Sequence, residues 1–317
     1  MIKSVGIALG FICYSASFCF GQSDTITDNK PGYIFLNYTN DYFNAEDRYY
    51  TQGIQLDVQL PSIAKSPVRK ILIKVKNETS SAHGLFIKHE AFTPTSIRSE
   101  DILYGDHPFG CALFIGENRV SLNGDKKVKV TSNITVGMIG DIGKCEEIQT
   151  GIHAATGNRL PFGWGNQLSR DLVLNYRLRF EKGFLSKKHL ELLAFSDARF
   201  GTYHNDLQIG ISTRVGKIQS FFTIINQHKK SKINLYMSGE VYIEGVGYNA
   251  SMQGGIFSNS LYTVPSSSVT RLIYGANASL ALTFKRWSIT HYKTWRTSAF
   301  KDASNHGWGY LQIQHYF

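Results

Sequence analysis

Apolar and polar residues alternate along most of this chain beyond its first two dozen positions. The segments YIFLNYTN (33–40), YYTQGIQLDVQL (49–60) and GLFIKHEAF (84–92) keep the alternation over most of their length. So do KVKVTSNITVGMI (127–139), LVLNYRLRF (172–180), HLELLAFSDARF (189–200) and KINLYMSGEVYIEG (232–245). The C-terminal part adds RLIYGANASLALTF (271–284), RWSITHYKTW (286–295) and GWGYLQIQHYF (307–317), and residues 107–118 and 203–215 carry a weaker version. A period of two sends successive side chains to opposite faces of a strand. An even set of twelve such segments, roughly ten residues each and divided by Gly, Asn, Asp and Ser turns, predicts an all-β chain. Its class is a 12-stranded antiparallel transmembrane β-barrel. A soluble secreted sandwich also alternates, but this chain shows no domain-sized break. It also ends on Phe317, with Leu311 and Ile313 at alternate positions before it.

The first residues depart from this pattern. MIKSVGIALGFICYSASFCFGQ is Lys3, an apolar run and small residues, as in a secretory signal cut near Gly21. The expected organisation is therefore a signal peptide at 1–21 and one barrel domain at 22–317. Beyond that run, no stretch reaches the roughly 18–20 apolar residues of a membrane helix. A second departure, PSIAKSPVRKILIKVKN (61–77), is basic and apolar, and reads as a short amphipathic helix or an extra strand on the periplasmic side with a structural role.

Composition narrows the partners. With 42% hydrophobic residues in 317, the chain is not disordered. Its net charge of +10, less Lys3 once the signal is removed, would usually suggest nucleic acid. Export argues against that and favours an anionic membrane surface or an acidic amphiphile. Cys13 and Cys19 lie in the signal, which leaves Cys111 and Cys145 either to pair or to remain as two buried thiols.

With a periplasmic N-terminus, the outward connections fall near 41–48, 94–106, 140–168, 201–202, 247–268 and 299–306. The longest are 140–168 and 247–268. Within the first of these, EEIQTGIHAAT reads as a helix ended by Gly157 or Pro161. Gln149 and His153 are four apart and share one face of it. A histidine offers a base near neutral pH, and a glutamine beside it can orient that base or a substrate carbonyl. Asn40, Asp41, Thr51, Thr93 and Arg98 reach the same rim, whereas Asn44, Glu46 and Asp47 read as a solvated turn. A carboxylate with an amide oxygen suits Ca²⁺, and hydroxyl or cationic groups can stabilise an oxyanion. No G-x-S-x-G nucleophile elbow occurs.

The blocks NDYF…DRYYTQGIQL, HEAFTP, DHPFGCALF and Q-x-x-x-H…P-x-GWGNQL, in order across residues 33–180, resemble the lipid A 3'-O-deacylase family of outer-membrane barrels. The resemblance implies a monomeric Ca²⁺-dependent hydrolase of the bacterial outer membrane. Its substrate would be lipid A of lipopolysaccharide, and the 3'-linked acyloxyacyl group would be removed. It casts Asp41 as a Ca²⁺ ligand, Asn40 as placing substrate or metal, Thr51 and Gln149 as parts of the catalytic set, and His153 as the base activating water. Two positions depart from the family. Asn158 stands where some members carry a Glu, and is a weaker metal ligand. No lysine aligns after the third strand, so Arg98 takes its substrate-binding place. His107, at a usual Arg position, is read as structural. An outer-membrane phospholipase, or a non-enzymatic porin or structural barrel, stays open as an alternative.

Overall fold

In the computed structural model, residues 32–44, 48–223 and 233–317 are described. The expected signal peptide and the turn residues Glu46 and Asp47 lie outside them. Twelve antiparallel strands close into one barrel, each paired with its sequence neighbours and the last with the first. They are β1 (Tyr33–Asn40), β2 (Tyr49–Gln59), β3 (Ser80–Thr93), β4 (Gly110–Asn123), β5 (Val128–Ile139) and β6 (Asp171–Lys187). The circuit continues with β7 (Leu190–Gly201), β8 (His204–Lys217), β9 (Asn234–Asn249), β10 (Leu272–Phe284), β11 (Trp287–Arg296) and β12 (His306–Tyr316). Closure pairs Tyr33 with Tyr316 and Asn40 with Gly309, so no strand edge is left open. The weakly patterned segments 107–118 and 203–215 became β4 and β8, as expected.

The alternation sorts the two faces. Leu207, Ile209 and Ile211 on β8, and Leu280, Leu282 and Phe284 on β10, stand exposed on the outside. The opposite parity fills the lumen with charge. Arg179 reaches Glu181 at 3.1 Å, Asp197 at 3.4 Å and Glu240 at 2.8 Å. Arg199 bridges Asp206 and Glu244, and Arg214 meets Glu191 at 2.6 Å. Both mouths are covered. On the outside, Met252, Val264 and Val269 of the β9–β10 connection cluster with Tyr49, Ile273 and Phe300 over the rim. On the periplasmic side the Phe221 amide donates to the Glu191 carboxylate, and Lys129 lies 4.0 Å over the Phe221 ring.

The 61–77 segment is neither the amphipathic α-helix nor the extra strand expected of it. It makes two 3-10 turns, Pro61–Lys65 and Pro67–Lys70, each opened by a proline, and then an irregular run. That run lies against the outside of the wall. Asn118, Val120, Thr131 and Asn133 line the lumen, so their neighbours Glu117, Arg119, Ser121 and Ser132 face outward. The segment satisfies these outward polar groups. Ser66 Oγ donates to Glu117, Ser132 Oγ donates to the Ile73 carbonyl, Val75 N donates to Ser121 Oγ, and Glu78 meets Arg119 at 2.6 Å. Leu72 and Val75 are buried inward, while Ile71 and Ile73 are exposed outward.

Candidate active site

One helix stands over the rim. Helix α1 (Cys145–Thr156) follows Lys144, which holds a left-handed φ of 53°, and carries Glu146 and Glu147 in its first turn, where the helix dipole favours acids. Its residue Cys145 is disulfide-bonded to Cys111 of β4, with Cα atoms 5.7 Å apart, which settles the question the sequence left open. Cys111 shares parity with the exposed Ile115, so the tether fixes the helix on the outer side of the wall, at the top of the apolar belt. His89 of β3 packs there too. Its Nε2 donates to the Gly143 carbonyl at 3.0 Å and lies 3.2 Å from Cys145 Sγ. Gly143 is required at this spot, because a Cβ would run into Cys111 Sγ.

The helix ends where Gly157 takes a φ of 70°. The chain then folds back around His153. Asn158 N donates to the His153 carbonyl at 2.9 Å, and the His153 ring meets the Arg159 carbonyl through Nδ1. A nitrogen facing a carbonyl oxygen carries the proton, which leaves Nε2 as the basic lone pair. One turn earlier, Gln149 is 4% exposed, and its Oε1 accepts from Trp164 Nε1 at 2.8 Å. That bond fixes the amide, and Gln149 Nε2 is left without a hydrogen-bond partner. Trp164, fully buried beside Phe109 and the disulfide, is a site residue that sequence reasoning missed. The GWGNQL block was its only signal.

The first hairpin brings the rest. Asn40 closes β1 facing outward, and its Nδ2 donates to Tyr38 OH at 3.3 Å. Asp41 opens the following 3-10 turn, is 2% exposed, and accepts from Arg48 N at 2.7 Å. Thr51 sits at a bulge in β2 and shares a 2.6 Å hydroxyl–hydroxyl contact with Thr93, at the outer end of β3. Both hydroxyls are buried. From Thr93 the chain enters the 94–109 connection, whose Ile97 carbonyl accepts from Phe162 N and whose Phe109 carbonyl accepts from Leu168 N. The hairpin and the helix loop are thus joined through that connection. Two expected residues stand differently. Arg98 is exposed on the connection, with its backbone N turned to Ser96 Oγ. The Asn158 side chain is exposed at the helix end.

Asp141 and Arg170, both exposed, pair with each other, and the guanidinium holds the carboxyl below its usual range. His107 is buried between Phe92 and Tyr49, and its Nδ1 meets the Pro108 carbonyl at 2.7 Å. Burial pushes its pKa down to about 4, so the ring is neutral at physiological pH. A packing role fits that state.

Known proteins give the arrangement a family. The model of a family described as outer membrane protein LpxR matches residues 7–317. Among solved structures, LpxR from Salmonella typhimurium superposes with a TM-score of 0.74 at 16% identity, covering 90% of this chain and 100% of that one. The β domain of the Bordetella autotransporter Brka aligns at a TM-score of 0.46 and 5% identity, over 90% of this chain and 98% of that one. No curated protein matches. The chain belongs to the family of outer membrane protein LpxR, the lipid A 3'-O-deacylase family that its sequence blocks resemble, and its place is the bacterial outer membrane.

Proposed function

We propose that this barrel removes the 3'-linked acyloxyacyl group of lipid A with His153 as the base. The observation that carries this reading is the pair on one helix face. His153 has its Nδ1 tied to a carbonyl, and Gln149 has its oxygen tied to Trp164 and its Nε2 left to donate. His153 Nε2 takes a proton from water, and the water oxygen bonds to the acyl carbon. As charge develops on the carbonyl oxygen, Gln149 Nε2 donates to it. His153 then returns the proton to the departing sugar alkoxide as the acyl C–O bond breaks. The products are the acyloxyacyl carboxylic acid, its secondary ester intact, and a 3'-hydroxyl. Thr51 and Thr93 hold the hairpin beside this centre, and Arg98 meets phosphate or acyl carbonyls from the rim.

The donors at the first hairpin suit Ca²⁺, since they offer a buried carboxylate at Asp41 with an amide oxygen at Asn40, both hard ligands, while the exposed Asn158 would reach the ion only from the helix end. When bound there, Ca²⁺ supplies charge that polarises the ester carbonyl. Purified barrel in detergent, offered lipid A and a glycerophospholipid together, tests the reading by mass spectrometry. Native protein should deacylate lipid A only, and His153→Ala should lose about 10²–10⁴-fold of the rate. Equal rates would sink the assignment of His153. Activity that survives a chelator would remove Ca²⁺ while leaving the base in place.

A further inference from the structure

The lumen holds one acid that the ion-pair scheme leaves out. Three carboxylates line its larger cavity, of about 390 Å³: Asp57, Glu90 and Asp197. Glu90 meets Lys88 at 2.6 Å and Asp197 meets Arg177 at 2.5 Å. Asp57 is 2% exposed, and among the described residues it has no cationic partner. Its one side-chain contact is a hydrogen bond from Asn118 Nδ2 to Oδ2, 2.5 Å long. A buried carboxylate held only by a neutral amide is costly, because desolvation is not offset by an opposite charge.

Its neighbours are amides, each with an oxygen as well as a donor. Gln59, Gly84 and Asn118 lie opposite one another across β2, β3 and β4. The Gln59 amide nitrogen lies 3.4 Å from Asn118 Oδ1, while Asp57 Oδ1 and Gln59 Oε1, both buried, have no hydrogen-bond partner. Gly84 sits in the middle of the row and keeps the space open. A Cβ there would lie 3.0 Å from Asp57 Oδ1, 2.9 Å from Asn118 Oδ1 and 2.8 Å from Gln59 Cγ. The Asp57 carboxylate and the Asn118 amide oxygen therefore face a hollow made by a missing side chain, with the Gln59 side chain beside them.

We propose that this hollow binds a hard, oxygen-seeking cation of the Na⁺ or Ca²⁺ class. One formal negative charge with neutral oxygens is the chemistry of a weak, partly hydrated cation site. The ion would join β2, β3 and β4, the strands whose outer ends carry Thr51, Thr93 and Cys111. The site is separate from the Asp41 centre. It lies on the other face of the wall, near the periplasmic ends of β2 and β3.

Thermal unfolding of the full barrel in detergent tests it at fixed ionic strength, with choline chloride against NaCl and against CaCl₂. The native midpoint should rise by roughly 3–8 °C with the preferred ion. Asp57→Asn should lose that response while keeping deacylase activity, and Gly84→Ala should blunt it by filling the hollow. Because Asp57→Asn leaves Asp41 intact, any Ca²⁺ response from the outer site persists in it and is subtracted. Crystals soaked with Tl⁺ or Sr²⁺ add a reading independent of stability. An anomalous peak beside Asp57 with Tl⁺ assigns the monovalent class, and one with Sr²⁺ the divalent class. Identical cation responses in native protein and Asp57→Asn, with no peak from either ion, would overturn the proposal and leave a carboxyl satisfied by a proton or water.

Discussion

The two faces of the barrel wall solve opposite problems. Inside, charge is dense and paired, as where Arg179 alone meets Glu181, Asp197 and Glu240. Outside, helix α1 carries an imidazole held through one nitrogen and an amide with one unpaired donor, and the first hairpin adds two bonded hydroxyls and a buried aspartate. Groups locked into complementary pairs have nothing left to offer a substrate. Groups tied on one side only are poised on the other. On the proposed mechanism, the difference places stability in the lumen and chemistry on the lipid side, where an acyl chain would reach His153 without leaving the membrane.

The sharpest way to break that division is Arg179→Met. It removes the cation that three lumen acids share, leaving Asp197 to Arg177, Glu181 to Lys129 and Glu240 with no cation among the described residues. That should cost about 3–5 kcal/mol of stability, seen as a lowered unfolding midpoint, with turnover per folded molecule unchanged. A parallel loss of turnover would show that the lumen shapes the site. Gln149→Leu should weigh the other way, cutting kcat about 10²–10³-fold while the buried Trp164 N–H left without its acceptor costs only about 1–3 kcal/mol of stability. His107 offers a test at the rim. Its folded pKa of about 4 lies below the unfolded value near 6.5, so the unfolded chain binds the extra proton between them. Stability is therefore complete above about pH 6.5 and falls as pH drops toward 4, by roughly 3 kcal/mol in all. His107→Phe should flatten that slope in pH-dependent melts. The smallest effect belongs to Arg98→Ala. Its exposure limits it to a roughly two- to threefold rise in KM, and a larger loss in kcat would move Arg98 from the rim into the chemistry.

Much of this was legible in the residues. Alternation located all twelve strands, including the weak β4 and β8, because a wall between lipid and a polar lumen enforces the period at every step. Helix α1 was readable too, since Gln149 and His153 four apart and a Gly at 157 are local signals. What stayed hidden depends on distant partners. Nothing in GWGNQL says that Trp164 will fix the Gln149 oxygen, and spacing alone could not decide whether Cys111 and Cys145 pair. The 61–77 segment was misread for the same reason. Its amphipathic composition suited a helix, but its backbone is held by Ser121, Ser132 and Tyr176 on three separate strands.

That segment also bears on how the barrel reaches its membrane. On this flank the finished wall hides its outward polar groups because a loop has been laid over Glu117, Arg119, Ser121 and Ser132. Without the loop, the fourth and fifth strands would show these ions and hydroxyls to the bilayer. Exposing those groups to lipid is costly, so docking of the loop should accompany insertion. A barrel that strings its strands in order must also shingle its own flank on the way in.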